Sequence, residues 1–92
     1  MQLIHRPGGE YTLITDDTAT QCKTGAGVLK YIQINAALTG TIKVIDNTSG
    51  TTANIGTITN PAVGDRYFAG LDFTAGLRII ASGSCNITVV YD

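Results

Sequence analysis

The chain has no tryptophan, a single methionine, two prolines, two cysteines, one histidine and one glutamate. With Glu and Met at one each and lysine at three, the good helix formers are too scarce for a helical domain. The one histidine, His5, has no acidic or cysteine neighbour at ligand spacing, so neither a catalytic triad nor a zinc site is expected around it. Cys22 and Cys85 stand far apart and form no Cys-x-x-Cys pair. They are expected as two free, partly buried thiols. Charge is sparse as well. Charged residues are 14% of the chain, against a usual share of about 25%. Six Lys and Arg against seven Asp and Glu leave a net charge of −1. This balance excludes a basic nucleic-acid binder and an acidic disordered tail. No apolar run approaches the ~18–20 residues that cross a bilayer, so no membrane partner is expected. The start, Met1 to Pro7, lacks a charged segment followed by an apolar one; no secretion signal is expected, and folding in a cytosol is.

What is present is β-branched. Fourteen Thr, eleven Ile and five Val make up 30 of the 92 residues. Such side chains are stiff at χ1 and fit a pleated surface. Eleven glycines, with Asn, Asp and Ser, supply turns. The reading is an all-β chain, and 92 residues make one domain. A chain of this mass buries roughly 63% of its extended surface, which gives a thin core. The mean hydropathy of +0.18 is high for so small and weakly charged a chain. Part of the surface is therefore expected to be covered by other chains, and a homo-oligomer is expected.

Residues 1–9 end in Pro7-Gly8-Gly9 and read as an N-terminal arm, made apolar by Leu3 and Ile4. It is either a frayed terminus or a docking strand on a neighbour. Residues 10–92 form the domain. Expected strands are Tyr11–Thr15, Thr18–Lys23, Val28–Ala36, Thr41–Ile45, Ala53–Thr59, Arg66–Phe73, Leu77–Ala81 and Cys85–Tyr91. In the third, Val28, Ile32, Ile34 and Ala36 share one face, and Tyr31, Gln33 and Asn35 the other. Lys30 interrupts the apolar face, which places the start of this strand at an edge or a rim. Ile42 and Val44 point inward with Lys43 outward, and Ile87, Val89 and Tyr91 share a face. Gly56 marks a bulge or a tight crossing. Asp46–Gly50 is a turn, and Ser82-Gly83-Ser84 a hairpin loop. Seven or eight strands at this spacing make an antiparallel sandwich or a barrel. Ile34, Val44, Ile79 and Val89 are expected in the core.

Few constellations invite chemistry. Asp16-Asp17 lacks the further oxygens of a calcium loop and reads as a turn. Glu10, Asp65 and Asp72 are the carboxylates that an acid–base pair would draw on, but they fall at strand ends and turns. Thr24-Gly25-Ala26-Gly27 has no Lys-Ser/Thr pair after it and opens no helix, so it is not a phosphate loop. The sequons at Asn47 and Asn86 carry no weight without a secretion signal. Tyr31, Tyr67, Phe68, Phe73 and Tyr91 are a candidate sugar platform, though aromatics in so small a β domain belong to a core or an interface. No catalytic residue, metal ligand or cofactor is expected, and an enzyme is not the expected class.

Residues 28–92 resemble small structural proteins of tailed bacteriophages, notably capsid decoration or cement proteins. The resemblance lies in Leu29-Lys30-Tyr31-Ile32-Gln33-Ile34, then Gly40-Thr41-Ile42-Lys43-Val44 and the turn Asp46–Gly50. It continues in Phe73-Thr74-Ala75-Gly76-Leu77-Arg78-Ile79-Ile80, Ser82-Gly83-Ser84 and Ile87-Thr88-Val89-Val90-Tyr91. It implies a compact jelly-roll-like sandwich, often a trimer, on the outer surface of the phage head. There it would bind the major capsid protein where subunits meet and stabilise the shell. Leu3, Ile4, His5 and Arg6 of the arm are the expected contact residues, with the capsid or a sister subunit. Two other virion roles fit the same composition: a receptor- or glycan-binding module of a head or tail fibre, and a connector or tail-ring component.

Overall fold

The computed structural model describes residues 9–92. Leu3, Ile4, His5 and Arg6, and with them the expected arm apart from Gly9, lie outside the described residues. Among the described residues nine strands form where the β-branched residues cluster: β1 (Glu10–Ile14), β2 (Thr20–Thr24), β3 (Gly27–Ala36), β4 (Thr41–Ile45), β5 (Gly56–Thr59), β6 (Arg66–Tyr67), β7 (Leu71–Phe73), β8 (Gly76–Ala81) and β9 (Asn86–Tyr91). Among the described residues there is no helix.

The pairing is nested. β1 pairs β9, β2 pairs β8, β3 pairs β6 and β7, and β4 pairs β5, all antiparallel. The chain is thus one long two-stranded ribbon with its tip at residues 46–55. The ribbon wraps so that β9 also pairs β3 and β8 also pairs β4. Two sheets result. Sheet A has the order β1-β9-β3-β6, with β7 also on β3, and sheet B has the order β2-β8-β4-β5. This is a jelly roll, two Greek keys closed into a sandwich. If β6 and β7 are taken as one broken strand, it has eight strands.

The break corrects the expected single strand over 66–73. Phe68 (φ 58°) and Gly70 (φ 76°) adopt left-handed backbone between β6 and β7. That conformation is costly for a bulky residue. The Phe68 ring packs against the core from this position, facing Gly56 on β5. A Cβ at Gly56 would stand 2.9 Å from Phe68 Cζ. Gly56 is therefore the tight crossing rather than a bulge. It also opens β5, since residues 53–55 are not strand. The link 82–84 is likewise not a hairpin loop. β8 lies in sheet B and β9 in sheet A, so Ser82-Gly83-Ser84 arches across the sandwich. Ser82 holds the arch to β4: its N–H donates to the Thr41 carbonyl, and its Oγ accepts from Thr41 N–H, both at 2.9 Å.

The core lies between the sheets. Leu29, Ile32, Ile42, Val44, Leu77, Ile79, Ile87 and Val89 have no exposed surface, and Ile34 and Phe73 keep 1%. All four residues expected in the core are there, and Ile87, Val89 and Tyr91 share the inner face. Burying an aliphatic side chain of this kind contributes about 1.5–3 kcal/mol. β3 departs from simple alternation. Its register with β9 shifts between Leu29 and Tyr31 and again between Ile34 and Ala36. Lys30 and Tyr31 together face Val90, so a bulge turns Leu29 inward in place of Val28. The second bulge leaves Ala36 exposed. Lys30 thus marks a bulge in an interior strand, not an edge.

Val44 and Ile45 are adjacent and both buried, so they face opposite sides of sheet B. Ile45 lies under the ribbon tip. Arg78, its register partner, donates from Nε to the Gly50 carbonyl at 3.0 Å, and Gln21 Nε2 donates to the Asn47 carbonyl at 2.8 Å. Asn54 closes the loop, accepting from Asp46 N–H at 2.7 Å and donating to the Asp46 carbonyl at 3.0 Å. The Asp46 carboxylate accepts from Thr74, Ala75 and Gly76 N–H and from the Thr74 hydroxyl. Those bonds, the Thr74 and Ala75 amides foremost, hold its pKa below the ordinary value. Its contribution to stability is complete above the unfolded pKa of about 3.9 and is lost as pH falls through the depressed folded value. Asp46→Asn is expected to cost about 1 kcal/mol at pH 7, the low end for bonds to an exposed charged group, or about 4–8 °C in Tm. The gap between variant and parent should close in acid. Thermal melts at pH 7 and pH 2.5 measure this, and a gap independent of pH would contradict it.

Candidate functional site

The outer face of sheet A is assembled from alternate residues of its strands. Tyr11 and Leu13 on β1 point out while Ile14 points in and Thr12 shares a 3.0 Å hydrogen bond with the Tyr91 hydroxyl. Register sets Tyr11 beside Val90 and Val90 beside Tyr31. The Arg66 guanidinium stands 4.5 Å from the Tyr31 ring centroid, a cation–π stack. The next row runs Leu13, Thr88, Gln33, Arg66. Beyond it lies an amide ladder. Gln33 Nε2 donates to Asn35 Oδ1 at 3.2 Å, and Asn35 Nδ2 donates to Asn86 Oδ1 at 3.2 Å and to Thr88 Oγ1 at 2.8 Å. Of the four large hydrophobic residues that are exposed among the described residues, Tyr11 (62%) and Leu13 (56%) lie here. Among the described residues the carboxylate at an outward strand position on this face is Asp72 on β7, next to the core residue Phe73 and on the side of the sheet away from β1. A face of Tyr, Leu and Arg with amides has the composition of an interface centre.

The outer face of sheet B differs. Its apolar Ile45 is covered by the ribbon tip. What remains open is a shallow groove of about 230 Å³ lined by Thr41, Lys43, Ile80, Ala81 and Ser82. It gathers one cation and no acid–base set.

The carboxylates singled out in the sequence are not brought together. Glu10 is on β1 and Asp72 on β7, at opposite sides of sheet A. Asp65 precedes β6 and is held in its own loop, accepting from the Tyr67 hydroxyl at 3.0 Å and from Ala62 N–H at 3.4 Å. Asp16 accepts from Thr18 N–H at 3.1 Å, the turn its sequence suggests. Among the described residues no three His, Cys, Asp or Glu are grouped to hold a metal. Cys22 and Cys85 are both free. Burial pushes the Cys22 thiol up to about 11, against a smaller lowering by the Thr12 hydroxyl. Burial, then the Asp16 charge, also raises Cys85. Neither is a thiolate at neutral pH.

The five aromatics of the candidate sugar platform disperse. Phe73 and Tyr91 are core, Tyr67 and Phe68 pack on its margin, and only Tyr31 lies on the open face. The residues sequence reasoning missed are Tyr11 and Leu13. In Tyr11-Thr12-Leu13-Ile14 both alternating faces hold an apolar residue, so only the register with β9 decides which is out. No protein-family model, curated protein or solved structure matches the chain.

Proposed function

We propose that this protein is a non-enzymatic structural component of a phage virion, a decoration protein that seats on assembled capsid subunits and stabilises the head. The observation that carries the reading is the outer face of sheet A, where Tyr11, Leu13 and the Tyr31–Arg66 stack form an exposed patch on a weakly charged block. A clamp needs no reacting group. It stabilises the shell by binding only the assembled form, and many copies of a modest contact add avidity. Residues Leu3 to Arg6 are proposed as a second contact with the capsid. Cryo-electron microscopy of particles carrying the protein tests this. Density on the outer capsid surface between subunits is the expected result, and density on a fibre or a tail ring overturns it. Removing residues 2–7 is expected to lower occupancy on particles while leaving Tm unchanged; full occupancy removes the arm from the contact.

The Tyr31–Arg66 stack beside the Gln33–Asn35–Asn86 ladder favours a second reading, a glycan-binding module, since aromatic rings and amides are the groups that take sugars. A glycan array separates the two. Binding that Tyr31→Ala abolishes would support the module.

A further inference from the structure

A guanidinium 4.5 Å from the centroid of the Tyr31 ring closes the ring face it stacks on to a sugar. What the pair offers beside that face is a planar cation with its edge unspent. Arg66 is exposed, and among the described residues no hydrogen bond or ion pair engages its N–H donors. The polar side chains of sheet A gather next to it. Register sets Gln33 across from Arg66 and Thr88 across from Gln33. Hydrogen bonds run one way along the amides, from Gln33 to Asn35 and from Asn35 to Asn86 and Thr88. That direction leaves Gln33 Oε1 to accept, and the Asn86 amide and Thr88 hydroxyl to donate. The carboxylates that could neutralise Arg66 are placed elsewhere. Asp65 accepts from the Tyr67 hydroxyl and Ala62 N–H, and Asp72 pairs with Val28 near the start of β3.

We propose that this patch binds a carboxylated sugar of the uronate or sialate class. Arg66 grips the carboxylate through paired N–H···O bonds, and the Gln33–Asn35–Asn86 ladder takes the ring hydroxyls. One planar cation matches one planar carboxylate. A nucleic-acid backbone calls for several cations, and these side chains include a single one. A sugar hydroxyl both donates and accepts, which suits a ladder that offers both kinds of group. An acidic peptide side chain only accepts. The inference rests on the glycan-binding reading and narrows it to anionic glycans.

Two matched pairs of probes test it: sialyllactose against lactose, and trigalacturonate against its methyl ester. Amide shifts of the full chain are followed by NMR with each probe raised to about 10 mM, enough to register a millimolar Kd. At least one acid is expected to shift Gln33, Asn35, Asn86 and Thr88, and to bind at least about tenfold tighter than its neutral partner. Arg66→Gln should erase that preference with Tm unchanged. Tyr31→Leu keeps a side chain beneath the guanidinium without the ring. It should weaken the acid severalfold and keep the preference, as for a positioning residue. Tetraglutamate should bind at least about tenfold more weakly than the preferred acid. Equal binding of acid and neutral probes overturns the inference and leaves the glycan-binding reading standing. Binding of none of the four overturns the inference, and a blank glycan array then removes the glycan-binding reading as well. A preference that survives Arg66→Gln, or tetraglutamate bound as tightly as the acid, also overturns it.

Discussion

Val89→Asp is expected to abolish soluble folding. Val89 has no exposed surface and sits on the central strand of sheet A, between Thr12 on β1 and Ile32 on β3. Among the described residues the core cluster that holds Val89 contains no cation. A carboxylate there must be buried unpaired or taken up as the neutral acid, and either costs several kcal/mol. A domain of this size has about 5–10 kcal/mol in total. Val89→Ala should cost only about 2–3 kcal/mol, with a fall in Tm of about 10–20 °C. Thr88→Asp, one residue along and facing out, should stay within about 1 kcal/mol. Circular dichroism and the soluble fraction read all three. A folded Val89→Asp chain would show that the inner face of β9 is misassigned.

Gly76→Ala carries the second large effect. Gly76 opens β8 and is buried. A Cβ there would stand 2.8 Å from Gln21 Nε2, 2.8 Å from the Lys23 carbonyl and 2.9 Å from the Asn47 carbonyl. The Gln21 amide ties these groups together, donating to the Lys23, Asn47 and Leu77 carbonyls. One methyl group therefore pushes on two backbone carbonyls and an amide engaged in three bonds. The expected cost is about 2–4 kcal/mol, or about 10–25 °C in Tm. Gln21→Ala removes the nearest movable atom. The double variant should be less destabilised than the sum of the singles by about 1 kcal/mol or more. Strict additivity in a thermal-melt cycle would show that the cost comes from elsewhere.

Much of the sandwich is legible where alternation is clean. Thr41–Ile45 is read with its observed bounds, and Ile34, Val44, Ile79 and Val89 are placed correctly because each lies in a stretch of its strand that alternates locally. The errors have a common cause, which is that long-range register is invisible to local pattern. Lys30 spoils the apolar face of β3 because a bulge against β9 changes the parity there, sending Leu29 inward. Ser82-Gly83-Ser84 has the residues of a hairpin, yet β8 and β9 belong to different sheets. Phe68 looks like strand, but its ring is needed against Gly56 and its backbone yields. The candidate surface was half legible. Tyr31 is read on the face of its strand that carries Gln33 and Asn35, whereas Tyr11 and Leu13 emerge only once β9 selects the face of β1.

The β1–β9 pairing also fixes when this protein can exist at all. The strand that begins the described chain waits for the one that ends it, and β9 is the central plank between β1 and β3. A ribosome adding about 5–20 residues per second makes β9 several seconds after β1. Sheet A therefore closes only once β9 has emerged, with the slow closure typical of non-local β pairing. A nascent chain stalled before Asn86 should stay protease-sensitive, and every message cut short there yields no protein rather than a smaller one.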